Sequence, residues 1–157
     1  MSSAGFDAAA RLAAAQAFFR SIPHSGLLGL EVVACEPRVV VARLPYKPEL
    51  VGNPYTGWLH GGAVVTLVDQ TSGAAVIHTL ERPDMVATLD LRIDHLRPPQ
   101  PGRAVLARAE CYRVARDIAF VRCLCYEDDP DDPFVSSMST FMRVSRPRGS
   151  VGEGQSA

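Results

Sequence analysis

An imidazole, two glycines and a carboxylate fall within one short run of this chain: His60, Gly61, Gly62 and Asp69. They follow a loop of turn-formers, Asn53-Pro54-Tyr55-Thr56-Gly57-Trp58-Leu59, and lead into an apolar segment that ends near Ile77. Asp69 is the lone acid of that segment, with Val65, Val68, Ser72 and Gly73 around it at helical spacing. A carboxylate resists burial unless it is paired or used. It is therefore either a structural acid tied to a neighbour such as Ser72, or a general base or nucleophile. The glycines weigh toward chemistry. The first N–H groups of a helix have no intrahelical partner, and the helix dipole there favours negative charge. With no side chain on Gly61 or Gly62, a substrate carbonyl can reach those N–H groups, which is the physical basis of an oxyanion site. The plainer reading of the same pair is a helix start that needs glycine for its backbone shape.

Spacing adds a constraint. Gly61 and Asp69 are eight residues apart, or about 12 Å along a helix axis. Reacting atoms must come within about 3 Å. If both residues serve one site, that site is built from two chains. An antiparallel two-fold pair of these helices would bring Gly61 of one copy near Asp69 of the other, giving two equivalent sites.

The elements that must position these residues are legible from periodicity. Residues 6–20, alanine-rich and free of Gly and Pro, predict a helix with Asp7 in its first turn, ended by Ile22-Pro23-His24-Ser25-Gly26. Residues 28–46 are rich in β-branched side chains and predict one strand or two, with a turn or bulge at Glu36-Pro37. Residues 61–80 are apolar on nearly every helical face, which predicts a centrally buried helix, and Gly73 within it predicts a close approach. The period then changes from helical to alternating. Ala87, Leu89, Leu91 and Ile93 form the predicted inner face of a strand, and Thr88, Asp90, Arg92 and Asp94 the outer. Strands follow at 104–114, 118–126 and 134–144, the last two separated by the acidic loop 127–133, which reads as a solvated tip. The four strands after the long helix predict an antiparallel meander, packed on one face by that helix in an α+β arrangement. The chain divides into an N-terminal helix and turn (1–26), a main domain (27–144) and a polar, glycine-rich tail (145–157), read as disordered.

Composition excludes several functions. The 157 residues suit one domain. Net charge is −1, without the basic excess that nucleic acid or an anionic membrane calls for. No apolar run is long enough to span a bilayer. No basic segment followed by an apolar core and cleavage site marks the N-terminus. Cys35, Cys111, Cys123 and Cys125 form neither a C-x-x-C pair nor a zinc-finger pattern. They read as small buried hydrophobes in a reducing, cytoplasmic setting. The acidic loop lacks the glycine and closing Glu of an EF-hand. Neither a metal nor another cofactor is expected.

The segment Asn53…Gly57-x-x-His60-Gly61-Gly62 with Asp69 nine residues after His60, followed by Ala87-Thr88-Leu89-Asp90-Leu91-Arg92-Ile93-Asp94-His95-Leu96-Arg97-Pro98, resembles the PaaI-type acyl-CoA thioesterases of the hotdog fold. The likeness runs from about Gly29 to Val144. It implies an antiparallel sheet wrapped around one long helix, an acyl-CoA substrate, and a homodimer or homotetramer. It also implies residue roles. Asp69 matches the catalytic carboxylate, acting as base or nucleophile. Gly61 matches the residue whose N–H polarises the thioester carbonyl. His60 and Asn53 match side chains that shape the loop and orient substrate or water, with Asn53 seven residues before His60 where members have six. Thr88 matches a hydroxyl that positions water, although the strand's alternation places it on the outer face. Gly62, Trp58, Val68, Ser72 and Gly73 are the expected substrate-binding residues, and Arg97 the expected contact for coenzyme A phosphates. The alternative on the same fold is a non-catalytic acyl-CoA or lipid-binding module. A DNA-binding regulator would need a helix-turn-helix ahead of the domain, for which the short N-terminal helix leaves no room. A hotdog hydratase would need an Asp and a His about five residues apart, which His60 and Asp69 are not.

Overall fold

The computed structural model describes residues 7–80 and 84–144, so the expectation of a disordered tail lies outside the described residues. The elements are α1 (Ala8–Ser21), α2 (Pro23–Leu28), β1 (Glu31–Glu36), β2 (Val39–Leu44), a 3-10 turn at Pro48–Leu50, β3 (Val51–Asn53), β4 (Trp58–Leu59), α3 (Gly61–Ile77), β5 (Met85–His95), β6 (Val105–Ala115), β7 (Ile118–Tyr126) and β8 (Val135–Val144). The arrangement is the expected α+β hotdog fold. Six antiparallel strands curve around α3, which packs on β2, β5, β6 and β7.

Two local readings are corrected and a third is resolved. Asp7 is the residue that caps α1 rather than part of its first turn, and its side chain makes no capping bond. The segment after α1 does not simply end a helix. It forms α2, with Pro23 at the first turn and Gly29 closing it at φ 75°. Residues 28–46 are two strands joined by a tight turn. Pro37 holds the turn's first φ, and Arg38 takes φ 72°, a left-handed value that costs a non-glycine residue. Two bonds hold that conformation: Arg38 Nε donates to the Cys111 carbonyl at 2.8 Å, and the Cys111 N–H donates to the Arg38 carbonyl at 2.9 Å.

The predicted meander is also corrected. The sheet order is β1-β2-β6-β7-β8-β5. Only β6, β7 and β8 meander. β5 pairs with β8 at the far edge, and the Pro-rich connector after Arg97 carries the chain across the sheet to β6, beside β2. The correction has a packing cause. A helix lying across the sheet must be covered on both flanks, and β5 follows α3 directly.

The sheet's concave face is built of small side chains. Val40, Ala109, Cys123 and Ser137 align in one cross-strand row, and Ala42, Ala107, Cys125 and Val135 in the next. These residues let α3 lie close, with Ala63, Val64, Leu67, Val68, Thr71, Ser72, Ala74, Ala75 and Val76 buried along it. The four cysteines are free thiols buried in this core. Burial pushes Cys35 and Cys111 up, and a hydrogen bond with Cys123 together with burial pushes Cys125 up, which disfavours the reactive thiolate.

The helix is not buried on every face, contrary to expectation. Gly62, Val65, Thr66, Asp69 and Gln70 form a stripe that the sheet leaves uncovered, with Val65 37% exposed. The spacing i, i+3, i+4, i+7 makes this one continuous face. Gly73 is not forced by a close approach either. A Cβ built there would meet Phe141 at 3.5 Å and Val86 at 3.8 Å, ordinary van der Waals contact.

Candidate active site

The loop before α3 forms a small hairpin, β3 against β4, whose job is to aim His60. Asn53 begins its turn: the carbonyl accepts from Gly57 N–H at 2.8 Å, and Oδ1 accepts from Tyr55 N–H at 3.0 Å. Tyr46 Oη–H donates to the Gly57 carbonyl at 2.9 Å and anchors the turn from outside. His60 N–H then donates to the Leu50 carbonyl at 2.8 Å. Gly52 lies against His60 so closely that a Cβ there would fall 2.7 Å from its Cα. Gly52 therefore positions the imidazole, a role that sequence reasoning missed; its only local signal is a glycine inside a two-stranded turn.

His60 caps α3. Its Nδ1 accepts from Gly62 N–H at 2.9 Å, which leaves the ring hydrogen on Nε2 in the neutral tautomer. This changes the reading of the two glycines. Gly62 N–H is occupied by the cap, and a Cβ on Gly62 would fall 2.9 Å from His60 Nδ1, so Gly62 serves the cap rather than a ligand. Gly61 is different. Its N–H has no partner among the described residues, and a Cβ built on it meets nothing within 4 Å. Among the described residues, the Gly61 N–H at the positive end of α3 is left without a partner.

Two turns along the helix, Asp69 sits half-buried on the uncovered stripe. The expected i+3 partner, Ser72, is not its partner. Thr88 Oγ1 donates to Asp69 Oδ1 at 2.8 Å within the same chain. This corrects the alternation expected for β5. The register slips between Thr88 and Asp90 against Phe141 and Thr140, so Leu89 is the extra residue of a β-bulge. One added residue swaps the faces. Val86 and Thr88 look toward α3 on one side of the bulge, and Leu91 and Ile93 on the other, while Leu89 is pushed outward, 53% exposed. A signal was present in the sequence: Val86 shares parity with Thr88, not with Leu91.

The other expected ligand contacts separate. Trp58 is 39% exposed on β4. Val68 and Ser72 are fully buried against the sheet and offer no surface in this chain, and Gly73 is buried between Phe141 and Val86. Arg97 is corrected outright. Its guanidinium forks onto Glu127 at 3.1 and 2.8 Å, reaches the Asp132 carbonyl at 2.9 Å and Asp132 Oδ2 at 3.2 Å, and stacks over Phe134. Its bonded donors are spent inside the protein rather than on a phosphate. The acidic loop is correspondingly more than a solvated tip, since Glu127 is 8% exposed and locked by Arg97 and by Gln100 N–H.

Among the described residues no group of three or more His, Cys, Asp or Glu side chains is placed to hold a metal ion, and no helix is long and apolar enough to cross a membrane. The site has a carboxylate held by a hydroxyl and, about 12 Å away, one unpartnered N–H at a helix N-terminus. The two can converge on one carbonyl only across two copies of the chain.

Comparison with known proteins identifies the family. A family profile described as the thioesterase superfamily matches residues 56–133, a span holding His60, Gly61, Asp69 and Thr88. The chain is 30% identical to a 1,4-dihydroxy-2-naphthoyl-CoA hydrolase of Listeria monocytogenes, over 57% of this chain and 70% of that one. It is 27% identical to the medium/long-chain acyl-CoA thioesterase YigI of Salmonella typhimurium, over 71% and 80%. A crystal structure of a Pseudomonas aeruginosa protein superposes with a TM-score of 0.78 at 40% identity, covering 85% of this chain and 99% of that one. The PaaI protein of Escherichia coli superposes with a TM-score of 0.76 over 88% and 97%, at 15% identity, a likeness of fold alone.

Proposed function

Because this chain belongs to the thioesterase superfamily, we propose that it hydrolyses acyl-CoA thioesters to the free acid and coenzyme A, at a site shared by two copies of the chain. The observation that carries the reading is the division of labour along α3. Asp69 is accessible and oriented by Thr88, and Gly61 N–H is unpartnered among the described residues, on a residue whose Cβ position is open. The names of the hydrolase and thioesterase relatives support the substrate class.

Symmetry locates the pairing. In an antiparallel pair that sets Gly61 of each copy against Asp69 of the other, the residue midway is Val65, which lies nearest the two-fold axis. Val65 is apolar and the sheet leaves it uncovered, as an isologous contact requires. The outer edge of β5 has no neighbour among the described residues, so it offers a second row of backbone groups for the same pairing.

The thioester carbonyl oxygen accepts from Gly61 N–H of one copy, where the helix dipole favours developing negative charge. Asp69 of the other copy takes a proton from water as the water oxygen adds to the carbonyl carbon. The oxyanion collapses, the C–S bond breaks, and the thiolate leaves with the proton that Asp69 returns. In the nucleophilic variant Asp69 itself adds, and water cleaves the resulting anhydride. Thr88 holds Oδ1 in either route.

The test is thiol release from acyl-CoA by the wild type and by Asp69→Asn. Loss of roughly 10²–10⁴-fold in kcat with folding and assembly intact supports the assignment. Near-wild-type turnover by Asp69→Asn would refute it. Single turnover in oxygen-18 water identifies the nucleophilic route where label appears in the Asp69 carboxylate, since general-base catalysis puts the label in the product acid alone.

A further inference from the structure

Beside Asp69 on α3 stands a side chain that the hydrolysis above does not use. Gln70 is half-buried on the stripe that the sheet leaves uncovered, and its carboxamide has no hydrogen-bond partner among the described residues. His60 has a matching surplus. Its Nδ1 accepts from Gly62 N–H at 2.9 Å, so the ring hydrogen is on Nε2, where the exposed ring finds no partner among the described residues. Within one chain the two side chains cannot meet, because ten positions separate them, about 15 Å of helix.

We infer that they meet across the pair of copies: Gln70 Oε1 of one copy accepts the Nε2–H of His60 of the other, and so holds the loop that presents Gly61 against the helix that presents Asp69. The inference rests on the two-chain thioesterase reading above and adds a positioning residue to that same site. Level along the helix is the first argument. An antiparallel pair that sets Gly61 against Asp69 sets the residues one step further out, His60 and Gln70, against each other as well. Side is the second. Gly62, Thr66 and Gln70 fall at i, i+4 and i+8, one line along α3. The imidazole lies over the start of that line, since a Cβ on Gly62 would fall 2.9 Å from Nδ1 and 3.2 Å from Cε1. A two-fold axis perpendicular to two antiparallel helices keeps a given line on the same side of both. The imidazole of one copy and the carboxamide of the other are therefore level and on one side. Thr66, midway on the line, does not compete, because its hydroxyl donates to the Gly62 carbonyl at 3.0 Å.

A carboxamide suits the task. Its oxygen accepts from Nε2–H without bringing a charge, so the ring stays neutral and Nδ1 keeps the lone pair that the cap needs. A protonated ring would turn Nδ1–H against Gly62 N–H and open the cap. Gly61 is the next residue, so the cross-chain bond fixes where its N–H points relative to the carboxylate of the other copy. The bond acts on alignment in the assembled site, which is read in kcat rather than KM.

The experiment compares the full chain with Gln70→Leu, with His60→Asn, which keeps a capping oxygen but has no Nε2–H, and with the double variant. Each single variant is expected to lower kcat for acyl-CoA about fivefold with little change in KM, and the double variant to fall no further, because both remove one bond. Subunit exchange between the two single variants creates mixed pairs in which one site has both residues intact, so the mixture is expected to turn over about twice as fast as either parent. Nitrogen-15 NMR gives a readout that needs no turnover: the His60 Nε2–H should exchange slowly with water in the wild type and rapidly in Gln70→Leu. Effects that multiply in the double variant, a mixture no faster than its parents, or equally fast exchange in wild type and Gln70→Leu overturns the pairing and leaves an active thioesterase standing. A rise in KM alone from Gln70→Leu assigns the carboxamide to the substrate and also overturns it. A wild type that cleaves no acyl-CoA overturns the thioesterase reading, and the NMR exchange then decides the pairing by itself.

Discussion

Gly73→Ala tests how the seam between α3 and β5 is packed. Gly73 is in the middle of α3 with right-handed helical backbone, where glycine costs about 1 kcal/mol relative to alanine. The new methyl would rest 3.5 Å from Phe141 Cε1 and 3.8 Å from Val86 Cγ2, so it fills space without forcing either ring or strand to move. Stability should therefore rise by about 1 kcal/mol, which for a domain of this size is a Tm increase of roughly 2–4 °C. Calorimetry or circular dichroism melts at fixed protein concentration measure it, since a dimer's Tm depends on concentration. A lowered Tm would refute the packing argument, because it would mean that something denser than Phe141 and Val86 lies over Gly73 in the assembled protein.

Three further outcomes follow from contacts already described. Val65→Glu places two carboxylates near the two-fold axis; like charges about 4 Å apart cost about 4 kcal/mol at a protein surface, so light scattering should show monomer and turnover should fall at least a hundredfold, whereas an active monomer would refute the two-chain site. Thr88→Val removes the 2.8 Å bond to Asp69 and should lower kcat about tenfold with little change in KM, with Thr88→Ser restoring most of it, since one hydrogen bond to a charged group contributes about 1.5 kcal/mol. Glu127→Gln weakens the fork with Arg97 and should cost about 2 kcal/mol by urea denaturation at neutral pH. Burial alone would push the Glu127 carboxyl up, but the Arg97 bonds and Gln100 N–H outweigh it and hold the carboxyl below its ordinary range. Its stabilisation is accordingly complete above the ordinary carboxylate value and fades as pH falls through the lowered one. The variant should therefore lose less stability than the wild type on acidification, and parallel pH curves would contradict this.

Much of this protein is written locally. The helix that begins at Gly61 shows in its largely apolar content, the turn at Pro37 in its proline, and strands β6 and β7 in their alternation, because each depends on neighbours within a few residues. The eight-residue spacing from Gly61 to Asp69 likewise fixes, by helical rise alone, that one carbonyl cannot meet both in one chain. Other features depend on which strand lies beside which. β5 crosses to β8 because the helix it follows needs cover on that flank, and a single extra residue at Leu89 turns Thr88 inward to Asp69. Alternation read from sequence assumes an unbroken ladder, and a bulge is visible only in the pairing. Partner choice was equally out of local reach. Arg97 is thirty positions from Glu127, and nothing near it in sequence distinguishes a phosphate ligand from half of a buried ion pair. Between the two glycines the tertiary structure made the finer division: His60 takes the N–H of Gly62 for the cap and leaves that of Gly61 open. Residue types and spacing determined that a carboxylate and a helix N-terminus were available; long-range packing decided which hydroxyl holds the one and which N–H of the other remains free.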